Sequence, residues 1–97
     1  MASVTVRFYG RLIDIVGEKE ITINDVDKLS DVYDKIRTRL GSKASALFQE
    51  NGEPRAGIIV VINGEAAAFR GGKNARLSEH DRITFDAIDV FQVEGGG

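Results

Sequence analysis

Apolar and polar residues alternate from the first positions of the chain. Val4, Val6 and Phe8 fall on one side, Thr5, Arg7 and Tyr9 on the other. A period of two predicts a half-buried strand over Ser3–Tyr9. Gly10-Arg11 offers a turn, after which Leu12, Ile13, Ile15 and Val16 keep the chain partly buried until Gly17-Glu18 reverses it. Alternation returns in Glu20–Asn24, with Ile21 and Ile23 inward, so the first two strands are predicted to form a hairpin.

The period then changes. Leu29, Val32, Tyr33, Ile36 and Leu40 recur at helical spacing, opposite Asp31, Asp34, Lys35, Thr38 and Arg39. Asn24, Asp25 and Asp27 offer oxygens for the helix N-cap, and Gly41 suits its end. A short helical piece is predicted near Ala44–Phe48, closed by Asn51-Gly52 and Pro54.

Ile58–Ile62 is a continuous β-branched run, read as an interior strand covered on both faces. Asn63-Gly64 is a hairpin-turn signal leading into Glu65–Phe69. Arg70–Arg76 reads as a loop, and Arg82–Val93 as a long last strand whose parity shifts near Asp86–Ile88, marking a bulge or bend. One long amphipathic helix against four or five strands is an α+β arrangement. Placing the first and last strands parallel at the centre of a mixed sheet gives the β-grasp architecture. We place the domain at residues 1–93, followed by a C-terminal glycine tail at 94–97.

Composition narrows the chemistry. The 97 residues, 42% hydrophobic and 29% charged, suit one folded domain. The absence of cysteine excludes disulfides, thiolate metal sites and a cysteine nucleophile, and His80 is the sole histidine. A net charge of −2 with scattered Lys and Arg predicts no nucleic-acid partner. No apolar stretch is long enough for a membrane helix, and the opening decapeptide lacks the basic and apolar regions of a signal peptide. The expectation is a cytoplasmic monomer with no metal or cofactor of its own. Gly71-Gly72-Lys73 lacks the flanking residues of a phosphate loop, and His80 beside Asp81 has no nucleophile to serve.

Four stretches, "VRFYGRLIDIVGEKEITI", "DVDKLSDVYDKIRTRLG", "IIVVINGEAAAF" and "LSEHDRITFDAIDV" leading to glycines, follow one another in order across the chain. Together they resemble the ubiquitin-like sulfur carriers and small modifiers. That group includes the small subunit of molybdopterin synthase, the thiamine-pathway carrier, the ubiquitin-related modifier and the archaeal small modifiers. The chain departs from many molybdopterin-type carriers. It lacks a Pro-Pro pair after the last strand's aromatic, has His80 where glycine is frequent, and ends in three glycines where two are typical. These differences favour the ubiquitin-related and archaeal branches.

The resemblance implies a working C-terminus rather than a catalytic cluster. A carboxylate at Gly97 would be adenylated with ATP by a ubiquitin-activating-like adenylyltransferase. It would then be thiocarboxylated for a sulfur-acceptor enzyme, or joined to target-protein lysines. Gly96 and Gly97 would enter the partner's channel, where the missing Cβ permits close approach. Gly95 and Glu94 extend the arm, which spans roughly 13 Å when extended. Phe91 and Val93 are candidate docking residues, and Lys19, Lys28, Lys35, Lys43 and Lys73 candidate conjugation sites. The alternative is a non-catalytic β-grasp interaction module that uses no terminal chemistry.

Overall fold

In the computed structural model, which describes residues 1–87, the elements follow the predicted order. Strand β1 (Ala2–Phe8) leads through a short helix α1 (Arg11–Val16) to strand β2 (Glu20–Val26). Helix α2 (Leu29–Leu40) follows, then strands β3 (Ile58–Ile62), β4 (Glu65–Ala66) and β5 (Arg82–Ala87). The sheet order is β2-β1-β5-β3-β4. Strands β1 and β5 are parallel at its centre, and the other pairings are antiparallel. The five-stranded mixed sheet with one main helix is the expected β-grasp fold. The proposed boundary at residue 93 and the end of the long last strand lie outside the described residues.

Alternation decides which face of the sheet is buried. Val4, Val6 and Phe8 from β1, Ile21 and Ile23 from β2, Val60 and Ile62 from β3, and Ile83 and Phe85 from β5 all enter the core. The stripe Leu29, Val32, Tyr33, Ile36 and Leu40 of α2 closes over them. Leu47 and Phe48 fill the space beside the helix. Four rings meet there, with Phe85 5.6 Å from Phe8, 5.9 Å from Tyr33 and 6.1 Å from Phe48. Emptying a site such as Phe85 would cost about 3–5 kcal/mol, because so close-packed a cluster cannot collapse around the cavity. Burial, followed by the charge of Glu53, raises the Tyr33 phenol well above its ordinary value, so it remains a neutral core residue.

Several local expectations are corrected. The β1–β2 connection is not a simple hairpin, since Leu12 and Val16, four residues apart, bury one side of α1. Gly17, at φ 88°, ends that helix. Strand β2 also runs past Asn24. Asp25, at φ 60°, creates an irregularity that restores pairing between Val26 and Ala2. Of the three residues expected to cap α2, Asn24 and Asp25 lie within β2 and Asp27 pairs with the N-terminal amine at 3.2 Å, so Lys28 holds the N-cap position. There the Asp31 carboxylate reaches back to accept the amides of Asp27 (2.9 Å) and Lys28 (3.0 Å).

The segment after α2 is a 3-10 turn over Gly41–Ala46, a little earlier than predicted. Strand β3 is interior in the sheet but covered on one face only, leaving Ile59 38% exposed. Its partner β4 is two residues long, because the chain turns into a 3-10 segment at Ala67–Arg70 and projects Phe69 outward. The loop predicted over Arg70–Arg76 contains a further 3-10 turn, Gly72–Asn74.

The Asp31 contacts generate a pH-dependent prediction. Hydrogen bonds from the Asp27 and Lys28 amides lower its carboxyl pKa, so the stabilisation is present above the unfolded-state value and lost as pH falls through the folded one. Asp31→Ala should cost about 1 kcal/mol at neutral pH. In urea denaturation, the gap between variant and parent should close under acid conditions.

Candidate functional site

Strand β5 delivers the C-terminal segment, and its position is held from several sides. The β1–β5 register pairs Thr5 with Arg82, Val6 with Ile83, Arg7 with Thr84 and Phe8 with Phe85. The Tyr9 amide extends that ladder by donating to the Phe85 carbonyl at 3.1 Å. On the other side, β3 pairs with β5 from Ile58↔Ala87 to Ile62↔Ile83.

The entrance to β5 is a compact polar knot. Asn63 and Gly64 have φ 50° and 88°, as a tight hairpin between β3 and β4 requires. The Asn63 side-chain amide donates to the Asp81 carboxylate at 2.8 Å, and its side-chain oxygen accepts the Arg82 amide at 2.8 Å. The second Asp81 oxygen accepts the Ser78 amide at 2.8 Å. The Asp81 carbonyl accepts from Thr5 (3.0 Å), while His80 donates its amide to the Ser3 carbonyl (2.9 Å). Asp81 is buried, so these bonds replace the water it has lost.

The His80–Asp81 pair is thus not a catalytic dyad. Both carboxylate oxygens of Asp81 are engaged by Asn63 and Ser78, and His80 is exposed. His80 adopts φ 69°, a conformation in which glycine is unstrained.

The opposite face of the sheet has no helix over it. Across its rows stand Thr5, Thr22 and Arg82, then Glu20, Arg7, Thr84 and Val61, with Tyr9, Asp86 and Ile59 beyond. A recess of about 510 Å³ is lined by Thr5, Arg7, Tyr9, Glu20, Asn63, Gly64, Arg82 and Thr84. Arg7 bonds Glu20 at 3.1 Å and approaches the Tyr9 hydroxyl at 3.5 Å. Period-two alternation could place these residues outward, but not bring Arg7 and Arg82 onto neighbouring strands, because they are 75 positions apart in sequence.

The predicted site residues divide into two groups. Phe91, Val93, Glu94, Gly95, Gly96 and Gly97 lie outside the described residues. Lys19, Lys28, Lys35, Lys43 and Lys73 are all exposed but are not gathered into one patch. Lys19 precedes β2, Lys28 caps α2 and Lys43 follows it. Lys35 donates to the Asn24 carbonyl at 2.7 Å, and Lys73 pairs with Glu53 at 3.6 Å. Gly71-Gly72-Lys73 sits in short turns with no following helix of the kind a phosphate loop needs. Among the described residues no group of His, Asp and Glu is arranged to hold a metal, and no helix is long and apolar enough to cross a membrane.

Comparison with known proteins agrees with the topology. The model of the ThiS family matches residues 6–97. Small archaeal modifier protein 1 from Methanosarcina acetivorans superposes with a TM-score of 0.79 at 21% identity, covering 91% of this chain and 94% of that one. Urm1 from Sulfolobus solfataricus is 30% identical with a TM-score of 0.72, over 87% of this chain and 99% of its own. CysO in the Amycolatopsis orientalis BexX/CysO complex gives 0.74 at 24% identity, over 89% and 96%. No match was found among curated proteins.

Two substitutions test the knot. Asp81→Ala leaves the Ser78 amide and the Asn63 side chain without their acceptor and should lower stability by about 2 kcal/mol in urea titration. His80→Gly relieves the positive φ against the greater chain entropy of glycine, and should raise the urea midpoint by an amount worth up to about 1 kcal/mol.

Proposed function

The chain belongs to the ThiS family of β-grasp sulfur carriers and small modifiers, and we propose that its working group is the C-terminal carboxylate of Gly97. Carriers of this family are substrates of enzymes rather than enzymes themselves. The observation that carries the proposal is the extent of the family match, which runs through Gly95, Gly96 and Gly97. In the described residues, the carboxylates and the sole histidine form no nucleophile–base constellation or metal cluster that would favour chemistry on the body.

A free carboxylate resists nucleophiles, because its charge repels them and oxide is a poor leaving group. In the proposed first step a Gly97 carboxylate oxygen attacks the α-phosphorus of ATP. A P–O bond forms, pyrophosphate leaves, and the carbonyl becomes an acyl adenylate. A sulfur nucleophile then forms a C–S bond as the C–O bond to AMP breaks. With hydrosulfide the product is the thiocarboxylate directly. With an enzyme persulfide it is an acyl disulfide, whose S–S bond a second enzyme thiol reduces, leaving the thiocarboxylate and an enzyme disulfide. Alternatively, an enzyme thiol takes the acyl group and passes it to a lysine amine, which loses a proton as the amide forms. A ubiquitin-activating-like adenylyltransferase supplies the ATP site, and the chain binds no cofactor of its own. Gly96 and Gly95 let the backbone enter a narrow channel, with Glu94 at the base of the arm.

Phe91 and Val93 are proposed to dock the partner beside the tail. The exposed lysines, Lys19 and Lys43 among them, are proposed acceptors if the acyl group is passed to another copy of the chain. The cytoplasm, which supplies ATP, is the proposed location.

Intact-mass measurement checks the chemistry. Incubation with ATP, an adenylyltransferase of the same cell and a sulfur donor should replace one oxygen of the chain by sulfur. Removal of Gly96 and Gly97 should abolish the change. Activation undiminished by that deletion would sink the proposal, and partner binding with no ATP-dependent product would leave an interaction module in its place.

A further inference from the structure

The recess on the open face of the sheet has chemistry that the tail does not explain. Parallel pairing sets Thr5 beside Arg82 and Arg7 beside Thr84, so the two arginines stand diagonally on adjacent central strands. Diagonal neighbours on one sheet face are roughly 7–8 Å apart at their backbones, close enough for two long side chains to address one group. Thr5, Thr84 and Tyr9 add hydroxyls to the same depression. The Arg7 Nε is committed to Glu20, whereas the ion pairs of the described residues do not include Arg82. Among the described residues, the recess therefore holds one cation paired in place and a second, Arg82, outside every ion pair.

The surroundings restrict what fits. In the register, Val61 lies opposite Thr84 and Ile59 opposite Asp86, which puts an apolar strip on the β3 side of the recess. Ile59 is 38% and Tyr9 42% exposed, too much for core residues. Glu20 and Asp86 stand at the margins of this face, where they would repel a run of phosphates. The net charge of −2 also opposes a polyanion. One carboxylate beside one aliphatic group satisfies both halves of the surface.

We propose that this recess binds an extended protein segment carrying a carboxylate two positions from an aliphatic side chain, so that both face the sheet. The carboxylate lies between Arg82 and Arg7, with the threonine hydroxyls donating to it, and the aliphatic group covers Val61 and Ile59. The site belongs to the folded body, and activation of Gly97 plays no part in it.

The test is an NMR titration of the full chain with a blocked Glu-Ser-Val peptide and its Gln-Ser-Val counterpart. The glutamate peptide should shift the amides of Thr5, Arg7, Arg82 and Thr84, and added salt should weaken it. Arg82→Glu should weaken binding by about fivefold, the upper end for an exposed ion pair. Arg82→Lys should retain most of it, and the amide spectrum of each variant reports that it is folded. Equal binding of the glutamine peptide, shifts centred elsewhere, or no effect of Arg82→Glu would overturn the proposal. Tighter binding of oligouridylate than of the peptide would also overturn it, in favour of a nucleic acid. Because no ATP or activating enzyme is present, failure here is distinguishable from failure of the carrier chemistry.

Discussion

The parallel pairing of β1 with β5 is the constraint on which the rest of the molecule depends. Parallel neighbours cannot be joined by a tight turn, so the chain between them must leave the sheet and return. Here that excursion contains β2, α2, β3 and β4, and α2 lies across the sheet with its apolar stripe inward. Phe85 sits where all these elements converge, against Phe8, Tyr33 and Phe48. Placing β5 centrally means that the strand preceding the glycines in the sequence is paired on both sides.

The structure separates rigidity from chemistry. Asp81 and Asn63 resemble catalytic polar residues in type, yet their hydrogen bonds close the β3–β4 turn onto the start of β5. Their contribution is positional. The open face is the reverse case. Arg7, Arg82 and Tyr9 are ordinary surface residues in the sequence, and the sheet assembles them around a single recess. The proposed carrier chemistry would use both features, a firm body for the partner to grip and a carboxylate to present to it.

Legibility differed with the range of the determining contacts. Helix α2 was readable along its length and at its C-terminal end, because Leu29 to Leu40 carry a 3.6-residue stripe and Gly41 follows directly. The Asn63-Gly64 turn was equally plain, since both residues must take positive φ. Helix α1 was missed because six residues with Leu12 and Val16 inward have too short a period to distinguish from a buried loop. The N-cap was misplaced because Asn24 and Asp25 belong to β2, whose Val26 pairs with Ala2, 24 positions earlier in the chain. The β-branched run of β3 suggested cover on both faces, although α2 covers only one.

What the sequence determined by itself was the set of elements with strong local periods, their order and the glycine end of the chain. Those signals arise within a few residues, from side-chain spacing and backbone preference. Only the tertiary structure decided that Asp81 is an internal fastener, that His80 takes a conformation suited to glycine, and that Arg7 meets Arg82 across a parallel ladder. Each depends on strands far apart in the chain becoming neighbours, and no local pattern specifies which cross-strand partner a residue will face.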